Sequence, residues 1–151
     1  MADRKHYQDL EASPAYQLWL VTNAWQRRAR KALEPFNLTH VQFVILASID
    51  LLVQEGESPT QIDVCRFAAL DVNMTSQVVR SLEERGLVVR TKHPKDGRAH
   101  QLALTPEGLK LRDDAKQVFR PSSNAFFEPL GEDLQTLTTL LKRLNEAQVE
   151  D

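Results

Sequence analysis

Apolar positions between Pro14 and about Leu33 recur at helical spacing, at Leu18, Val21, Trp25, Ala29 and Ala32, which predicts a long amphipathic helix. Ser13 before Pro14 reads as an N-cap with proline in the first helical position. Glu34-Pro35 ends the helix, because a residue before proline avoids the helical region. Thr39 with Gln42 three residues on resembles a capping box, and HVQFVILASIDLLVQ follows it. That second segment is apolar nearly all round, so it belongs at the centre of the fold, with Gly56 closing it.

Two shorter helical patterns come next. Ser58-Pro59-Thr60 opens TQIDVCRFAAL, and a break near Asp71 leads into VNMTSQVVRSLEER, which Gly86 terminates. The period then changes. Val88 to Lys92 and His100 to Leu104 read as two short strands around a tip at Pro94–Arg98. Thr105-Pro106-Glu107 repeats the cap-and-proline signature and starts a long helix to about Phe127, which Pro121 is expected to kink or interrupt. A last helix from about Glu132 to Ala147 carries Leu134, Leu137, Leu141 and Leu144 as an apolar stripe. The predicted class is mainly α with a small β-wing, in the order α-α-α-α-β-β-α-α. A winged helix-turn-helix occupies about 38–104, and N- and C-terminal helices at about 13–36 and 105–147 flank it. The outer helices are too long and too apolar on one face to be explained by so small a core. They need a partner, most simply a second copy.

The fourth helix has an informative phase. Thr75, Val78, Val79 and Leu82 fall at inward positions, leaving Asn73, Ser76, Gln77 and Arg80 on the opposite face. Base edges in a major groove are read by such groups: guanine by Arg, adenine by Asn or Gln, and either by Ser or Thr. On that chemistry Thr75 is also carried among the DNA-contacting candidates. An ordinary solvated helix face likes the same residues; the position between a short helix and a basic hairpin favours the DNA reading. At the hairpin tip Arg98 is the candidate for a narrow minor groove. Asp96 can pair with it or brace the turn, and Gly97 supplies permissive backbone. Lys92 and Lys95 suit phosphates, which position a protein without specifying sequence. A plain hairpin turn is the simpler alternative for Asp-Gly-Arg.

Composition changes this picture little. The 151 residues fit one domain, and the 42% apolar content supports a real core. A net charge of −2 excludes a uniformly basic nucleic-acid coat but not a local patch. Arg85, Arg90, Lys92, Lys95 and Arg98 stand against Asp96 alone, while the chain from Glu128 to Asp151 leans acidic. Cys65 is the single cysteine, so an intrachain disulfide and an all-cysteine metal site are excluded. Histidines 6, 40, 93 and 100 lack metal-ligand spacing, and no cofactor is expected. No catalytic triad, carboxylate pair or phosphate loop stands out, so an enzyme is not expected. No apolar stretch reaches spanning length and MADRKHYQDLEA lacks a signal-peptide core, so a cytoplasmic protein without membrane contact is expected.

Asp96-Gly97-Arg98-Ala99, Leu102-Ala103-Leu104-Thr105 and Gly108 resemble the wing signature of the MarR (multiple antibiotic resistance regulator) family. Leu82-Glu83-Glu84-Arg85-Gly86-Leu87-Val88 is similar to that family's junction of recognition helix and wing, and Leu38-Thr39, Gln42-Phe43 and Leu46 to the start of its second helix. The similarity runs from roughly Ser13 to Asn145. It implies a homodimeric regulator, most simply a repressor, on a pseudo-palindromic operator in double-stranded DNA. The first, fifth and sixth helices would form its dimer interface. Its wing residues carry over to Asp96 and Arg98, and its recognition contacts to Asn73, Ser76, Gln77 and Arg80. It also implies release by a small aromatic effector, for which Trp25, His40 and Phe43 are candidates; core packing is the plainer role for Trp25 and Phe43, and a solvated place in the first helical turn for His40. Cys65, inside the third helix, is expected to be inert core rather than a redox sensor. Two alternatives stay open: a winged-helix module that docks proteins, and an architectural DNA protein with little sequence preference.

Overall fold

The computed structural model describes residues 9–148; the first eight residues, on which the signal-peptide reading partly rests, lie outside them. The chain forms α1 (Pro14–Leu33), α2 (His40–Gln54), α3 (Gln61–Phe67), α4 (Val72–Glu84), β1 (Val88–Lys92), β2 (His100–Leu104), α5 (Pro106–Phe127) and α6 (Leu134–Ala147). A single 3₁₀ turn (Glu34–Phe36) follows α1, and a six-residue 3₁₀ segment (Glu128–Asp133) follows α5. Among the described residues no single helix is long and apolar enough to cross a membrane.

α2 is central, as its composition demands. It buries Phe43, Ile45, Leu46 and Ile49 in a core shared with Val64, Val79, Leu82, Leu87, Val88 and Leu102. Its start is held by the reciprocal Thr39–Gln42 box, and Gly56 leaves it at φ +83°. α3 has the same device in Thr60 and Asp63. The Thr60 hydrogen bonds hold the Asp63 carboxyl below the usual carboxylate range. α3 ends at Phe67, short of the expected Leu70, because Ala69 turns left-handed at φ +50° and the Leu70 N–H reaches back to the Cys65 carbonyl at 3.0 Å. Asp71 then caps α4 through the Met74 N–H at 2.9 Å. Gly86, at φ +70°, ends α4 with the Leu87 N–H on the Leu82 carbonyl at 3.0 Å.

β1 and β2 pair antiparallel from Val88↔Leu104 to Lys92↔His100. The ribbon is tied to the helices at its base. The Leu102 N–H donates to the Pro59 carbonyl at 2.7 Å, and the Thr105 N–H to the Leu87 carbonyl at 3.1 Å.

α5 runs through Pro121 without interruption, contrary to one branch of the expectation. A proline removes one backbone bond, and packing can hold the remainder of a long helix in line. α6 begins two residues later than its pattern suggested, after a turn in which Gly131 leaves helical geometry at φ +49°. A buried ion pair joins α5 to α2. Arg112 of α5 meets Asp50 of α2 at 2.7 Å, both nearly hidden from solvent, and the Arg112 Nε has no hydrogen-bond partner. Neither residue stands out in the apolar pattern.

The outer helices leave much apolar surface in solvent. α6 buries no residue, with Leu144 58% exposed, and Leu18, Trp19, Leu20 and Val21 of α1 are exposed, Trp19 by 65%.

Candidate nucleic-acid interface

The core fixes which face of α4 is offered. Val79 and Leu82 are fully buried, so the residues between them in phase are turned out. Asn73, Gln77 and Arg80 are exposed and Ser76 is half-buried. Thr75 is corrected: it is fully buried and its hydroxyl donates to the Asp71 carbonyl at 2.7 Å, so it supports the first turn from inside. Its hydroxyl is spent on backbone and reaches no groove. Val72 and Met74, which the polar pattern passed over, are also exposed at the leading end of α4, where an apolar group can meet a thymine methyl.

The wing tip is an ordered turn built by side chains. The Asp96 carboxylate accepts the Arg98 N–H at 3.0 Å, so it braces the turn and leaves the Arg98 guanidinium exposed. The His93 Nδ1 accepts from the Lys95 and Asp96 N–H groups, each at 3.2 Å. Sequence reasoning missed His93, since a lone histidine before a proline carries no distinct signal. Gly97 needs no left-handed backbone here, contrary to its expected role; the positive-φ glycines are Gly56, Gly86 and Gly131. Lys92 and Lys95 are exposed.

Arg90 differs from its cationic neighbours. It forms a two-pronged contact with Glu83 of α4, both bonds 3.1 Å, and reaches Gln61 of α3 at 3.3 Å. The Glu83 carboxylate raises its pKa above the usual value. Arg90 therefore fastens the wing to both helices of the helix-turn-helix and is not free for phosphate.

Trp25, His40 and Phe43 do come together, but in a filled cluster. Trp25 packs on Phe119, Phe126 and Phe127 with ring centroids 5.8, 5.3 and 5.5 Å away, and Phe43 on Phe119 at 4.8 Å. The His40 Nδ1 lies 3.0 Å from the Gln26 Oε1, and burial lowers its pKa. Phe43 and Phe119 also border open space. A cavity of about 260 Å³ there, between α2 and α5, has Ala47 and Leu51 in its wall and Arg112, Lys116 and Arg120 along its edge. Cys65 is buried, with its thiol toward the Leu70 carbonyl at 2.9 Å. Among the described residues no cluster of metal-ligating side chains occurs.

Comparison with known proteins gives the arrangement its context. The family model described as MarR family matches residues 38–100, the span from just before α2 to the first residue of β2. The uncharacterized HTH-type transcriptional regulator YdcH of Bacillus subtilis (strain 168) is 41% identical over 115 residues, 76% of this chain and 78% of that protein. Among solved structures, the transcriptional repressor CouR bound to a 23-mer DNA duplex superposes with a TM-score of 0.79 at 26% identity, over 91% of this chain and 95% of that one. CouR from Rhodococcus jostii RHA1 bound to p-coumaroyl-CoA gives 0.73 at 30% identity, over 92% and 91%.

Proposed function

The chain belongs to the MarR family, and from that premise we propose that two copies of it bind a pseudo-palindromic operator as a repressor. It is a DNA-binding transcriptional regulator, and its relatives are named as regulators of transcription rather than as protein-docking modules. Residues 38–104 would form the DNA-reading unit, with 13–36 and 105–147 forming the dimer region. One observation carries the reading: Asn73, Gln77 and Arg80 stand exposed on a helix whose opposite face is core, beside a braced ribbon that presents Arg98.

In this reading α4 lies in the major groove with Asn73 and Ser76 leading and Gln77 and Arg80 behind, a geometry that suits hydrogen bonds to base edges. Arg98 reaches the neighbouring minor groove, and Lys92 and Lys95 hold phosphates. Asp96 acts through the turn it stabilises. A small aromatic effector would enter the cavity between α2 and α5, where Phe43 and Phe119 supply apolar walls and Lys116 and Arg120 a cationic rim. Trp25 and His40 would then stand behind that wall rather than touch the ligand. Occupancy would work against the Asp50–Arg112 contact that links the DNA-reading and dimer parts.

Titration of DNA from the chain's own upstream region, against random duplex, tests the reading. Arg80→Ala should weaken operator binding by about 1–3 kcal/mol and relax one base position. Lys95→Ala should weaken binding to all sequences alike and flatten the log–log salt slope by about 1. Parent-like binding by both variants refutes the groove assignment. Equal affinity of the parent for operator and random DNA would instead indicate an architectural role.

A further inference from the structure

We propose that the groove at the elbow between α1 and α2 binds phosphate groups through Arg27, Arg30, Lys31 and Arg85. The site lies outside the contacts described above, and only one arm of its test depends on the DNA-binding reading. Arg27, Arg30 and Lys31 project from one side of α1 at spacings of three and four residues, where like charges destabilise a helix. Arg85 comes to the same groove from the end of α4, its Nη1 3.4 Å from the Gln42 Oε1. Among the described residues no acid lies within ion-pair distance of any of the four, and Glu34 is the single acid in the groove lining. Among the described residues, four cations thus share one groove with a single carboxylate, and none of the four is in an ion pair. That arrangement costs stability unless an anion joins it.

The chemistry of the groove selects phosphate over an apolar carboxylate. Its volume of about 840 Å³ is open and is bordered by polar groups such as Gln42, without the phenylalanine walls of the α2–α5 cavity. Guanidinium forks match phosphate oxygens two at a time, and four cations suit a ligand carrying several charges. Two sources supply such groups. One is the DNA backbone flanking the operator, since Arg85 follows directly on the last residue of α4 and continues the basic surface past that helix. The other is a soluble ligand bearing a chain of phosphates.

The test uses the full chain and the double variant Arg27→Gln/Lys31→Gln, with Lys142→Gln/Arg143→Gln, two exposed positions on α6, as a control of equal charge change elsewhere. In the first arm, binding to a duplex extended beyond the operator is measured against salt. Loss of two phosphate contacts per protomer lowers the slope by about 2 per protomer, and the control leaves it unchanged. In the second arm, tripolyphosphate is titrated into the DNA-free protein, and the groove variant binds it at least about tenfold more weakly than parent and control. A change in the first arm alone identifies the backbone as the source; a change in the second identifies a soluble phosphate. The proposal is overturned if the groove variant matches the parent in both arms, or if the control loses as much. If the parent itself ignores DNA, the regulator reading fails and the tripolyphosphate arm alone decides the groove.

Discussion

Gly108 sits where an added Cβ would lie 2.0 Å from the Leu87 carbonyl oxygen, the atom that accepts the Thr105 N–H. The residue leading into β1 and the first turn of α5 meet at that point, so neither backbone can retreat without losing a bond. Gly108→Ala should therefore cost about 1–3 kcal/mol of stability, read as a lower urea midpoint. An unchanged midpoint would mean that α5 slides freely on the strand. At this scale the exposure of some candidate positions was legible in the sequence. Asn73, Gln77 and Arg80 follow from helical phase, because Val79 and Leu82 leave α4 only one solvent face. Thr75 was misplaced because a hydroxyl suits both a groove and a helix's own carbonyl, and only the packing selects between them. His93 and the Arg90–Glu83 contact were not legible, since each joins groups whose meeting depends on the path of the hairpin.

At the scale of elements, α1, α2 and α5 meet around His40, which contacts the rings of Trp25 and Phe119. Burial favours its neutral form and lowers its pKa in the folded chain. The unfolded chain then takes up the proton first as the pH falls. Stability is therefore full above the ordinary histidine range and declines as the pH drops through it. His40→Phe should shrink the loss of stability between about pH 7 and pH 5 relative to the parent, measured by urea unfolding at each pH. An identical acid loss in parent and variant would remove His40 as a cause. Element types and most boundaries were readable because caps and breakers are local: Ser13, Thr39, Thr60 and Thr105 each cap the helix expected of them. The early end of α3 was not readable, because a left-handed alanine at position 69 has no sequence signature.

The whole molecule exposes Leu18, Trp19, Leu20 and Val21 on α1 and Leu134, Leu140, Leu141 and Leu144 on α6. Surface of that kind on the first and last helices suits association with a second copy. Leu141→Glu/Leu144→Glu should shift the protein to half its parent's mass in sedimentation velocity and abolish tight operator binding while the helical signal persists. A parent that sediments as a monomer in dilute solution would refute the dimer. The apolar stripe of α6 was already plain in the sequence, yet a stripe states only that something covers it.

What the chain's order of residues determined alone was the succession of helices and strands, the inward and outward faces of α4, and the basic hairpin. These depend on interactions spanning a few residues, which periodicity and caps encode directly. The tertiary structure alone decided that Asp50 meets Arg112, that the aromatic cluster is filled while a cavity opens beside it, and that α1 and α4 bring four cations to one groove. Such contacts join residues tens of positions apart, and their geometry follows from how whole helices cross rather than from any local pattern.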